Sequence, residues 1–164
     1  MSSAVNINGT AYTQPTSGDT DYGATFAALL SALCAAGSGI FNMGAASGLS
    51  AGNARYLGPG DSAASATELL FRFPVGGKLS KLYAVTTSAV VGDSLVLRIK
   101  TGSTSSPSNS ALTCTIAAAG TTAADTSNTV TVAAGDYMSV SATAGASYSS
   151  GGANLRVSFL FTPS

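Results

Sequence analysis

From residue 67 to the C-terminus the chain alternates apolar and polar positions with the period of a half-buried strand. Leu69, Phe71 and Phe73 share one face of 67–73, with Arg72 on the other. Leu95, Leu97 and Ile99 oppose Arg98 and Lys100 in 94–100, and Leu112, Cys114 and Ile116 oppose Thr113 and Thr115 in 111–117. Val130 and Val132 share a face of 128–132; Met138, Val140 and Ala142 share one in 137–143; Leu155, Val157, Phe159 and Phe161 share one in 154–161. The segment 78–86 alternates less cleanly, but Tyr83, Val85 and Thr86 favour strand. Turn-forming pairs separate these runs, among them Gly76-Gly77, Gly92-Asp93, Gly135-Asp136 and Gly151-Gly152. With an eighth strand near Tyr56, such spacing predicts an all-β domain over 56–164, an antiparallel β-sandwich or jelly roll.

A different pattern precedes it. Residues 1 to about 18 alternate weakly through Val5 and Ile7 and then reach Pro15, which reads as an extended arm. Asp19, Thr20 and Asp21 offer helix caps, and Phe26, Leu29, Leu30, Leu33 and Cys34 follow at i, i+3, i+4, i+7 and i+8. Gly37 and Gly39 end that pattern. The expected helix is too short to stand alone, so its apolar face must pack on its own C-terminal domain, a sister copy or a neighbour. Residues 38–55 are rich in Gly, Ala and Ser and have the composition of a linker, with Ile40, Phe41 and Met43 able to pin it to a surface. The expected organisation is a docking arm and short helix over 1–37, a linker over 38–55 and the β domain over 56–164.

Composition narrows the chemistry. Gly, Ala, Ser and Thr make up more than half of the 164 residues. Charged residues are 9% of the chain, against roughly 25% in a typical globular protein. Lys and Arg balance Asp and Glu, so no basic surface is available to displace counterions from a nucleic acid. There is no His, which removes imidazole acid–base, nucleophilic and metal chemistry. The longest mostly apolar run, 26–36, is far short of the roughly 20 residues a membrane helix needs. Cys34 follows Leu33 where a lipoprotein cleavage site wants a small residue, and acidic rather than basic residues lie upstream. The expectation is a chain made in a cytoplasm without a signal or anchor. Asn8-Gly9-Thr10 is then a sequon without consequence. Cys34 and Cys114 read as small buried hydrophobes rather than a disulfide or metal pair.

The acids Asp19, Asp21, Asp61, Glu68, Asp93, Asp125 and Asp136 are scattered, whereas glycoside hydrolysis needs a convergent pair. Asp93 and Asp136 each follow Gly in turns, where Asp caps backbone amides. No catalytic or metal-binding residue and no cofactor is therefore expected. Among the bases, Arg72, Arg98, Lys100 and Arg156 fall opposite the aliphatic series of their strands. They read as solvated outer-face residues, or as contacts to a partner or sister subunit. Tyr148 and the loop 145–152 are candidates for an exposed tip.

Two stretches carry a resemblance. Val5-Asn6-Ile7-Asn8-Gly9-Thr10-Ala11-Tyr12, then Pro15, Gly18-Asp19 and Asp21-Tyr22-Gly23 before a Leu-rich helix, is similar to the N-terminus of many tailed-phage virion proteins. Leu112-Thr113-Cys114-Thr115-Ile116, followed by the run from Asp125 to Asp136, resembles jelly-roll domains of phage decoration and fibre proteins. The resemblance implies a homotrimeric structural protein on the capsid exterior, synthesised in the host cytoplasm. Fibres of this kind often carry a long body between attachment segment and tip. Here the arm joins the knob almost directly, which suits a capsid decoration or cement protein. Its partner would be the major coat protein, met through Val5, Ile7, Tyr12, Phe26, Leu29, Leu30 and Leu33, with no nucleic acid or membrane involved. The alternative is a tail-fibre or baseplate module that binds a host surface glycan.

Overall fold

The computed structural model describes residues 4–7, 10–13, 38–59 and 64–164. They contain eleven strands: β1 (Ala4–Ile7), β2 (Thr10–Thr13), β3 (Gly39–Ala45), β4 (Ala54–Tyr56), β5 (Phe71–Arg72), β6 (Gly77–Val85), β7 (Leu95–Gly102), β8 (Ser108–Ile116), β9 (Thr122–Val132), β10 (Tyr137–Ala144) and β11 (Leu155–Pro163). One sheet runs β4-β10-β7-β8, with β5 joining β10, and the other runs β3-β11-β6-β9. Every pairing is antiparallel. No helix lies among the described residues, and none there is long and apolar enough to cross a membrane. The helix expected at 19–37 falls outside them.

The period-2 pattern does what it predicts over most of the domain. Leu95, Leu97 and Ile99 of β7, Leu112, Cys114 and Ile116 of β8, and Met138, Val140 and Ala142 of β10 are buried. They meet Leu79, Leu82 and Ala84 of β6 and Leu155, Val157, Phe159 and Phe161 of β11 in one core between the sheets. At one end Phe41 stacks on Phe159 at 5.4 Å, and Phe73 stacks on Phe161 at 5.2 Å. That second contact ties the segment after β5 to the opposite sheet.

Three expectations change. Residues 38–55 carry a seven-residue strand, β3, along the edge of the second sheet. Small residues hide its alternation, yet Phe41, Met43 and Ala45 all turn to the core. The expected strand at 67–73 shrinks to the two residues of β5, because Glu68 is drawn to Lys100 and Ser139 instead of continuing a ladder. The arm's first residues pair with each other: β1 and β2 run antiparallel, with Val5 opposite Tyr12 and Ile7 opposite Thr10. Asn8-Gly9, which separates the two strands in sequence, is the dipeptide that hairpins favour.

Irregular pairings explain the poor alternation of 78–86. Ser80 to Tyr83 on β6 spans the same ladder as Leu160 to Ser158 on β11, so β6 holds one extra residue. Lys81 sits there with φ 56°, and Leu79 and Leu82 both keep their side chains inside. Opposite it, β9 bulges between Asp125 and Thr129, and β8 bulges between Asn109 and Thr113. The buried Asp125 carboxylate stitches these edges together. Its Oδ2 accepts from the Thr113 amide at 3.1 Å and from Asn128 Nδ2 at 2.9 Å. Its Oδ1 accepts from the amides of Ser127 and Asn128 at 3.2 and 3.0 Å. The Asn128 side-chain amide, helped by the three backbone amides, holds the carboxyl below its ordinary 3.8 against the opposing effect of burial.

A carboxylate with a lowered folded pKa stabilises fully above its unfolded value, and that stabilisation is lost as pH falls through the folded one. Asp125→Asn is therefore expected to lower Tm by several degrees at neutral pH. The gap to the parent protein should narrow between about pH 5 and pH 2, followed by circular dichroism melts. A constant gap would assign the effect to packing alone.

Candidate functional site

The outer face of the β3-β11-β6-β9 sheet is an open surface. Directly paired residues share a face, so register sets the face out in rows. Gly44, Arg156, Val85 and Thr122 form one row, and Asn42, Ser158, Tyr83 and Ala124 the next. Ile40, Leu160, Ser80 and Thr129 form a third, ending at Thr162, Lys78 and Thr131. Ile40 is 70% exposed, Tyr83 49% and Val85 45%. Beside Tyr83 lies an open depression of about 700 Å³ lined by Asn42, Val85, Ala124, Arg156 and Ser158. A smaller one of about 220 Å³ continues past Ile40, Lys81 and Leu160. The fifteen-position grid plus Lys81 holds no acid, and its cations are Lys78, Lys81 and Arg156.

The outer face of the other sheet is partly closed. Lys100 on β7 pairs with Glu68, and its ammonium lies 5.4 Å from the centre of the Tyr56 ring. The buried Ser139 hydroxyl donates to the same Glu68 oxygen at 2.6 Å. This carboxylate pins the 64–70 segment across β7 and β10. Arg72 is also engaged, donating from Nε to the Gly135 carbonyl at 2.9 Å and lying 5.3 Å from the Tyr137 ring centre. Arg98 stands exposed beside them on β7. Arg156 belongs to the opposite sheet. The four bases singled out from the sequence are thus not one patch: Arg72, Arg98 and Lys100 belong to one sheet and Arg156 to the other.

Val5, Ile7 and Tyr12 sit in the β1–β2 pairing, while Phe26, Leu29, Leu30 and Leu33 lie outside the described residues. The 145–152 loop, a candidate tip from the sequence, is braced by its neighbour. The 145–152 loop bonds along the 86–94 loop through Val91 to Ser150, Ser149 to Val91 and Gly152 to Ser88. Gly151 (φ 87°) and Gly92 (φ 90°) permit that approach, since a Cβ at either would collide with the facing carbonyl of Ala89 or Ser147. Tyr148 is half-buried and donates its hydroxyl to the Gly151 carbonyl, while Val91 stays 48% exposed.

All four described acids have structural hydrogen bonds. Glu68 and Asp125 are engaged as above; Asp93 accepts from the amides of Ser94 and Ser147, which lower its pKa, the Ser94 amide most. Asp136 accepts from the Ala133 amide at 2.9 Å. Among the described residues no group of three His, Cys, Asp or Glu could hold a metal ion. Cys114 is a free buried thiol, pushed up to about 11 by burial and then by the Asp125 charge, so it behaves as a core residue.

No family model and no curated protein matches the chain.

The exposed apolar face was the feature missed from sequence. Its signal was present: Leu82, Tyr83, Ala84 and Val85 are all apolar, so both sides of that strand had to be. On the other sheet, Glu68→Ala would leave the buried Ser139 hydroxyl and Lys100 without their acceptor. It is expected to cost about 1–3 kcal/mol in urea unfolding, whereas Arg98→Ala should stay within about 0.5 kcal/mol. Equal effects would mean that the 64–70 segment is not held by this carboxylate.

Proposed function

We propose that the chain is a non-enzymatic structural subunit of a tailed-phage virion, of the capsid decoration kind, and that its β-sandwich is a jelly roll. The strand order carries this reading. From β3 onward the chain passes repeatedly between the two sheets, and the first of these strands, β3, lies beside the last, β11. Two four-strand paths, β3-β11-β6-β9 and β4-β10-β7-β8, fit the double Greek key common in viral capsid domains. The resemblance of the 112–116 and 125–136 stretches to phage jelly rolls supports the same assignment.

The protein then works by binding, without a cofactor. The N-terminal arm with Val5, Ile7 and Tyr12 docks on the major coat protein, and the sandwich projects outward as a homotrimer. The described acids support a binding role, because each is occupied in holding turns, bulges or the 64–70 segment. A second reading, host recognition at the tail, is favoured by the braced pair of tip loops with Val91 exposed between them.

Quantitative gels of purified particles separate the two readings. Decoration requires a copy number comparable to that of the coat protein, and a small fraction of it would move the protein to the tail. Deleting residues 1–13 is expected to abolish incorporation while the purified protein keeps its β-type circular dichroism. Undiminished incorporation would remove the arm as the anchor.

A further inference from the structure

We infer that residues 19–36 of the same chain cover the outer face of the β3-β11-β6-β9 sheet as a third layer. This assignment does not rest on where a particle carries the protein. The sheet leaves Ile40, Tyr83 and Val85 in water beside an open depression of about 700 Å³. A sheet face of this kind is stabilised by an apolar helix face laid upon it. The chain supplies one immediately upstream, in Phe26, Leu29, Leu30 and Leu33.

Connection, length and charge all select this occupant. β3 begins at Gly39, and Ser38 lies against Thr162 in the last row of the face, with hydroxyl oxygens 3.5 Å apart. Only residues 35–37 separate Cys34 from that point, so the end of the apolar series is delivered to the Ile40 corner. The rows from Thr162 to Arg156 span six residues of β11, roughly 20 Å at strand rise. A helix from Asp21 to Cys34 has nearly the same length, roughly 20 Å at 1.5 Å per residue. Laid along the face from the Ile40 corner, it brings Asp19 and Asp21 to the row of Arg156. These are the only charged residues in the first 54, and the face they approach carries cations and no acid. The aliphatic series lies over Leu160, Tyr83 and Val85, and the neutral Ala positions face water.

Cys34 is a native probe of this contact, because it ends the apolar series and Cys114 is buried. In the full-length protein, maleimide labelling of the Cys34 peptide, read by mass spectrometry, should be slowed at least about tenfold relative to the urea-unfolded chain. Tyr83→Glu with Val85→Glu should return it to the unfolded rate while circular dichroism shows the sandwich folded. Leu160→Cys, paired with Ile40 at the corner where the apolar series ends, identifies the chain that supplies the cover. Oxidation should give a disulfide between Cys34 and the introduced thiol within one chain, running as a compact monomer on a non-reducing gel. Labelling of Cys34 at the unfolded rate, or no change on the double substitution, overturns the contact. A covalent dimer overturns the same-chain assignment in favour of exchange between copies, and absence of any disulfide overturns the placement of Cys34 at the Ile40 corner.

Discussion

β11 enters its sheet between β3 and β6, so two of that sheet's three pairings wait for the last nine-residue strand of the chain. Its alternate residues Leu155, Val157, Phe159 and Phe161 also form the floor of the core. The rest of the sandwich depends on this insertion. Without it β3 has no ladder, Phe41 has nothing to stack on, and Phe73 loses the ring that ties the β5 region to the opposite sheet. Pairings between residues more than a hundred positions apart are entropically expensive to close, which places such a domain among slow folders.

This topology leaves β4 and β8 at the edges of one sheet and β3 and β9 at the edges of the other, and the two longest, β8 and β9, must be kept from pairing with other molecules. Both bulge, and Asp125 binds one bulge to the other through four hydrogen bonds. On the β6 side the answering irregularity at Lys81 keeps Leu79 and Leu82 inside and sends the Lys81 ammonium to the Thr126 carbonyl at 3.2 Å. Charge is scarce in this chain and is spent on such local work. Glu68 pins a loop across one sheet, and Asp93 braces the tip loops.

The two outer faces consequently differ in kind. One is crossed by the 64–70 segment and fastened by the half-buried Glu68 carboxylate; the other offers a tyrosine, aliphatic side chains and cations around an open depression. A face of the second kind is stable in water only at a cost in apolar exposure, and an amphipathic segment attached at its corner relieves that cost without a separate partner. Chain connectivity would make the association inferred above intramolecular, so it would need no concentration of a second component.

Sequence alone determined the fold class. Strict alternation in β7, β8, β10 and β11 states which side of each strand is buried, because side chains on a strand point to opposite faces whatever the strand packs on. It also separated Cys114 from chemistry and put Asp93 and Asp136 in turns, since these depend on neighbours in the chain. Where small residues blur the alternation, as in β3, or an extra residue shifts its phase, as at Lys81, local pattern no longer reports burial. Tertiary structure decided which strands are neighbours, that Glu68 reaches Lys100 and Ser139, and that Arg156 lies on the opposite sheet from Arg98. It also decided that Tyr83 and Val85 join Ile40 on one open face. Those relations are set by the register of strands distant in sequence, and no local spacing encodes which residue will lie across a ladder from which.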